Sequence, residues 1–242
     1  MKRNKSRKPK YRRILIKLSG ETLGDRGFGF SAVAIQRIVQ EIISIHELGV
    51  QIMIVVGGGN IIRGTTATSL GIDRPTGDTM GMLGTVINSI ALCGVLEKAG
   101  IQTRVQTAID MPRVSEPAIR RRAIRHLEKG RVVIFGAGTG NPFVSTDTAA
   151  ALRSSETNAE IILKATKVDG IYDKDPKKFS SATMFQKISF QEVLDRRLEV
   201  MDLAAFAMCR ENRIPIIVFD FFKQGNLRRV VCGDQIGTLV HL

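Results

Sequence analysis

The chain has 242 residues, 43% of them hydrophobic, with three cysteines, no tryptophan and a formal charge of +13. That length suits one large α/β domain, and Cys93, Cys209 and Cys232 lie too far apart for a disulfide framework or a Cys-x-x-Cys metal site. Eight positive charges fall in residues 1–13 without an acid, so most of the excess sits at the start of the chain and nucleic acid is not the expected partner.

No apolar run approaches the roughly 20 residues that a bilayer-spanning helix needs, so a cytoplasmic protein without a membrane partner is expected. Residues 1–10 read as a basic, disordered tail and 11–242 as a single domain. Ile14 to Leu18 reads as a buried strand that ends in Lys17-Leu18-Ser19-Gly20. A lysine on such a strand either reaches solvent or meets an anion that neutralises it. The loop Gly20 to Gly29 holds four glycines, Arg26 and Phe28. Ser31 is the predicted N-cap of a helix to Leu48, with Val33, Ile38, Ile42 and Ile45 inward and Gly49 as its stop.

The second strand, Ile52 to Val56, runs into Gly57-Gly58-Gly59-Asn60-Ile61-Ile62-Arg63-Gly64. Here backbone N–H groups can approach an anion, and the Arg63 guanidinium can stabilise a transferring phosphoryl group. Residues 65–77 read as polar loop, and Asp78 as the cap of a helix carrying Met80, Leu83, Val86, Ile87, Ile90, Leu92 and Leu96. A strand over Ile101 to Gln106 and a turn between Pro112 and Pro117 follow. The helix Ala118 to Glu128 should then turn Ile119, Ala123, Ile124 and Leu127 inward and leave Arg120, Arg121, Arg122 and Arg125 as a basic face.

The densest signal is Val132 to Phe135 followed by Gly136-Ala137-Gly138-Thr139-Gly140-Asn141-Pro142-Phe143-Val144-Ser145-Thr146-Asp147. A strand opening into a glycine turn with a helix N-terminus behind it suits a phosphate, though a tight turn alone would also use these glycines. Ile161-Ile162-Leu163-Lys164-Ala165-Thr166-Lys167-Val168-Asp169-Gly170-Ile171-Tyr172-Asp173-Lys174-Asp175-Pro176 is either a polar hairpin or the nucleoside end of a nucleotide site, with Tyr172 for packing. A helix Glu199 to Asn212 and strands Ile216 to Phe219 and Thr238 to Val240 complete a mainly parallel sheet covered on both faces.

No Gly is followed by Lys anywhere, which excludes the ordinary P-loop. Three strand-to-glycine junctions exceed what one pyrophosphate needs and suit two phosphorylated ligands facing each other, with Lys17 and Arg63 between them. Such chemistry requires Mg²⁺ with a nucleoside triphosphate, and Asp147 or Asp175 would hold it or orient Lys17.

In this order, Lys17-Leu18-Ser19-Gly20, Gly57-Gly58-Gly59-Asn60 with Arg63-Gly64, Gly138-Thr139-Gly140-Asn141-Pro142-Phe143, Lys164-Ala165-Thr166-Lys167-Val168-Asp169-Gly170 and Val200-Met201-Asp202-Leu203-Ala204-Ala205 resemble the amino acid kinase superfamily, and within it the bacterial uridylate kinases. The resemblance runs from Tyr11 to the C-terminus. It implies the amino acid kinase fold, a three-layer αβα sandwich around a mainly parallel sheet, assembled as a homohexamer. The implied reaction is phosphorylation of UMP by ATP with Mg²⁺, activated by GTP and inhibited by UTP.

Carried over, Lys17, Leu18, Ser19, Gly20, Gly59 and Arg63 face the ATP phosphates, and Thr166, Tyr172 and Asp175 its nucleoside. Gly58, Asp78, Thr139, Gly140, Asn141, Pro142, Phe143, Val144, Ser145 and Thr146 bind UMP, and Asp147 organises the catalytic Lys17. Asp25, Arg26, Gly27, Phe28, Gly29 and Phe30 lie where the GTP-responsive segment falls, one residue shorter than in some members. No direct protein ligand to the metal is assigned. An acetylglutamate, aspartate or carbamate kinase, or a nucleotide- or RNA-binding regulator using the basic tail and the Arg120 to Arg125 face, are the other readings.

Overall fold

Strands buried on both faces must be apolar at nearly every position. In the computed structural model, which describes residues 8–25, 28–62, 64–198 and 200–242, the apolar runs become β1 (Arg13–Leu18), β2 (Gln51–Val56), β5 (Val132–Gly136), β6 (Ile161–Thr166) and β8 (Ile216–Asp220). The flanking strands are β3 (Thr103–Thr107), β4 (Glu116–Pro117), β7 (Lys187–Ser189) and β9 (Thr238–His241). Together they form one sheet in the order β4-β3-β5-β2-β1-β6-β8-β9-β7, parallel except for β8 against β9.

The helices are α1 (Ala32–His46), α2 (Gly64–Ser69), α3 (Arg74–Lys98), α4 (Arg120–Glu128), α5 (Thr146–Thr157), α6 (Phe190–Asp195), α7 (Leu203–Glu211) and α8 (Asn226–Val231). Side-chain alternation sorts each central strand between two cores. Ile14, Ile16 and Leu18 pack with residues of α1, α8 and the C-terminal half of α3, whereas Leu15 packs with residues of α4, α5, α6 and α7. The result is the expected three layers.

Several local expectations are corrected. Asp73, not Asp78, caps α3, its Oδ1 accepting from Thr76 N at 2.9 Å; Pro75 is tolerated only in a first turn, which fixes the start there. Part of the expected 65–77 loop is α2. Val33 is exposed, because the inner stripe of α1 is Ile35, Ile38, Val39, Ile42 and Ile45. Ile119 is the exposed N-cap of α4, and His126 takes the inner position, held by Glu116 at 2.9 Å. The helix placed at Glu199 begins at Leu203 behind the Asp202 cap, and β7, α6 and α8 were not anticipated; Glu199 lies outside the described residues.

Against the expected lack of a long apolar run, α3 is, among the described residues, one helix long and apolar enough by length and composition to cross a membrane. Here it lies on the sheet, with Leu92 and Leu96 in the core and Asn88 and Ser89 fully buried. Near the N-terminus, the Lys10 N–H donates to the Val231 carbonyl at 2.9 Å.

Candidate active site

Parallel strands bring the carboxyl ends of β1, β2, β5 and β6 to one edge. Alternation turns Lys17 to the α5 face, the face of Leu15, and the register sets Lys17 opposite Lys164 on β6. Two lysines on neighbouring strands repel at the roughly 4.8 Å strand spacing unless an anion separates them. Asp147, the second residue of α5, is that anion: Lys17 Nζ lies 2.7 Å from Oδ1 and Lys164 Nζ 2.7 Å from Oδ2. Lys164 also donates to the Val200 carbonyl.

Burial raises the pKa of Asp147, but the two ammonium groups lower it by more, so it stays ionised. The Lys164 pKa is lowered, because burial outweighs a carboxylate shared with Lys17. The trio carries one uncompensated positive charge. Its side chains are only 13%, 14% and 17% exposed, so a phosphate entering there meets little competing water.

The glycines divide by task. A Cβ on Gly20 would lie 2.6 Å from the Gly57 carbonyl, and one on Gly58 2.5 Å from the Gly81 carbonyl, so both residues are demanded by packing. A Cβ on Gly59 would meet only Glu21 Cγ at 3.8 Å, which leaves that backbone open to a ligand. Leu18 turns its side chain into the core and its carbonyl to Gly57 N at 2.9 Å, so it offers no side chain to the cleft.

After β5 the chain winds through positive φ at Ala137 (62°), Gly138 (56°), Gly140 (83°) and Phe143 (67°). The turn is held from α3: Ala137 N donates to Thr85 Oγ1 and Phe143 N to Asp78 Oδ2, both at 2.7 Å. Arg74 pairs with Asp78 at 2.8 Å and lies over the Phe143 ring. Thr139, Gly140, Asn141 and Pro142 form the tip, with Asn141 N donating to Thr139 Oγ1 at 3.4 Å. Ser145 caps α5 by accepting from Asp147 N and Thr148 N, and donates its hydroxyl hydrogen to Asp202.

Two cavities flank the trio. One of about 170 Å³ is lined by Gly58, Gly59, Asp78, Thr85, Val144, Ser145 and Thr146; the other, of about 450 Å³, by Lys164, Thr166, Tyr172, Lys174, Asp175 and Arg197. Thr166, Tyr172 and Asp175, expected at the ATP nucleoside, line the larger space, and Gly58, Asp78, Val144, Ser145 and Thr146, expected at UMP, line the smaller. Gly59, expected at the ATP phosphates, lines the smaller one too, and Lys17, Ser19, Gly20 and residues 139–143 line neither. A further cavity, about 650 Å³ between α3, β3 and β4 and lined by Cys93, Glu97, Arg104, Arg113 and Arg122, is elsewhere and touches none of Lys17, Asp147 and Lys164.

Arg63, Arg26 and Gly27 lie outside the described residues. Asp25 and Phe28 form an isolated bridge, and Phe28 and Phe30 are exposed. The role of Lys164 was missed, although Ile161-Ile162-Leu163-Lys164 repeats the three-apolar-then-lysine pattern of Ile14-Leu15-Ile16-Lys17. Asp202 was missed as well; it accepts from Ser145, from Thr148 Oγ1 at 2.8 Å and from Ala205 N at 2.9 Å, so one carboxylate joins the starts of α5 and α7.

The sequence pattern of the Amino acid kinase family matches residues 12–220. Among solved structures, the chain is similar to UMP kinase from Bacillus anthracis (44% identity, TM-score 0.94, 96% of both chains covered). It is also similar to UMP kinase from Ureaplasma parvum (36%, 0.91, covering 96% of this chain and 100% of that one). Uridylate kinase from Archaeoglobus fulgidus is more distant (26%, 0.74, covering 94% and 99%). Fold and family match agree: the chain belongs to the amino acid kinase family.

Proposed function

We propose that the protein transfers the γ-phosphoryl group of ATP to UMP, giving ADP and UDP. The observation that carries this reading is the Lys17–Asp147–Lys164 trio between two cavities, in a chain 44% identical to a UMP kinase. The ATP nucleoside occupies the cavity of Thr166, Tyr172 and Asp175, and UMP the cavity of Gly58, Asp78, Val144, Ser145 and Thr146, where Gly59 also lies and meets the ATP phosphates. A UMP phosphate oxygen attacks the γ-phosphorus in line, the bond to the β,γ-bridging oxygen breaks, and ADP leaves. The Lys17 and Lys164 ammonium groups stabilise charge on the transferring group, and Asp147 holds both in place.

Mg²⁺ binds phosphate and water oxygens more readily than an all-protein cage. Among the described residues no three His, Cys, Asp or Glu side chains cluster to hold a metal, and both Asp147 oxygens are committed to lysines. This donor set suits a cation that arrives on the triphosphate, where it offsets charge on the β- and γ-phosphates. UTP inhibition, GTP activation through residues 25–30, a homohexamer and a cytoplasmic location belong to the same proposal. Leu83, Ile87 and Ile90, an exposed apolar stripe on α3, support self-association.

The test is ADP release from Mg-ATP with UMP, CMP, AMP, GMP, acetylglutamate, aspartate or carbamate as acceptor. Turnover with UMP alone is expected. Turnover with a different acceptor in place of UMP overturns the substrate, and none with any acceptor, with or without GTP, overturns the enzyme.

A further inference from the structure

Asn60 and Asn88 are fully buried and bond reciprocally: Asn60 Nδ2 donates to Asn88 Oδ1 at 3.0 Å, and Asn88 Nδ2 to Asn60 Oδ1 at 2.6 Å. Each amide gives its other hydrogen to a backbone carbonyl, Asn88 to Gly57 at 2.7 Å and Asn60 to Gly29 at 2.8 Å. The Gly29 N–H returns a bond to the Asn60 carbonyl at 2.8 Å, so Gly29 is held from both sides. Gly20 closes on the same point, where a Cβ would lie 2.7 Å from Asn60 Oδ1. The turns after β1 and β2, the segment leading into α1 and the middle of α3 therefore meet at one amide pair.

An apolar pair of this size would avoid the desolvation cost of two buried amides. What the amides add is direction: four donors with four fixed acceptors tie the segments to one geometry. We propose that Asn60 and Asn88 are positioning residues that couple the order of the segment around Gly29 to occupancy of the phosphate site at Gly59. Neither acts on substrate directly. In Asn88→Ala the Gly57 carbonyl and Asn60 Oδ1 lose their donors inside the core, while Gly57 N stays bonded to Leu18. The turn then persists with its direction relaxed.

The proposal rests on the ATP reading of this cleft, and the experiment separates the two. Hydrogen exchange of the peptide containing Gly29 is measured in the full-length protein alone, with a Mg²⁺-loaded non-hydrolysable ATP analogue, and with UMP. The analogue is expected to slow exchange about five-fold or more and UMP to leave it unchanged. In Asn88→Ala the slowing should vanish, with KM for ATP up about ten-fold and KM for UMP within about two-fold of the parent. Analogue binding to the parent protein without slowing overturns the coupling and needs no variant to fold. Slowing that survives in Asn88→Ala, or a fall in kcat with KM for ATP unchanged, overturns it too. A parent protein that binds the analogue and slows, but does not phosphorylate UMP, overturns the kinase reading and leaves the coupling standing.

Discussion

Asp78 and Phe143, 65 residues apart in sequence, meet through a 2.7 Å hydrogen bond from the Phe143 backbone N–H to Asp78 Oδ2. Phe143 sits at φ 67°, a conformation that costs a non-glycine residue roughly 1–2 kcal/mol and persists only where neighbours impose it.

Removing that acceptor should therefore loosen the side of the cleft proposed to take UMP. Asp78→Ala is expected to raise KM for UMP about ten-fold with a smaller change in kcat, and Asp78→Asn, which can still accept from Phe143 N, to do less. Steady-state kinetics with UMP varied at saturating ATP checks this; an unchanged KM refutes it.

The lysine trio should separate stability from turnover. Lys17→Ala and Lys164→Ala are each expected to cut kcat by about 10²–10³-fold, the scale of removing one preorganised donor to the reacting group. Lys17→Ala also removes one of two like charges 2.7 Å from a single carboxylate, so thermal stability should change little. Asp147→Ala leaves two ammonium groups facing each other in a desolvated site and should cost about 3–5 kcal/mol by urea titration. Equal destabilisation by all three variants contradicts this assignment.

The neighbouring glycines offer a second dissection. Gly58→Ala places a Cβ 2.5 Å from the Gly81 carbonyl and should lower Tm by several degrees, whereas Gly59→Ala has room and should keep Tm. On the proposed ATP site, Gly59→Ala is expected to raise KM for ATP, because the added methyl would stand on backbone that is otherwise open. Identical Tm losses would show that both glycines serve packing alone.

Glu41, on α1, accepts from Gly225 N at 2.6 Å while its Oε2 is buried without a hydrogen-bond partner. Burial raises its pKa above the ordinary 4.5, more than the Gly225 and Leu227 N–H groups lower it. The folded protein therefore prefers the protonated form. Above the folded pKa the ionised carboxylate costs stability, and that cost fades as pH falls through the folded pKa towards 4.5. Glu41→Gln is expected to be more stable than the parent at pH 8 and equal to it near pH 4.5, by urea unfolding at both values. A gain that does not depend on pH contradicts the burial account.

The strand and glycine pattern was legible in the residues themselves, because a doubly covered parallel strand admits little but apolar side chains and the turn beyond it needs glycine for close backbone approach. Lys17 and Asp147 stood out for the same reason, as charges placed where local patterning offers no partner. Lys164 is a partner only through the register of β1 against β6, and Asp78 faces Phe143 rather than capping α3 only because Pro75 sets the helix start earlier, with Asp73 as the cap. The amide pair of Asn60 and Asn88 carries no signal at all in sequence, since two neutral side chains 28 residues apart become informative only when both are buried. Contacts of this kind depend on which elements pack together, and that is set by the burial of the whole sheet rather than by any short stretch of chain.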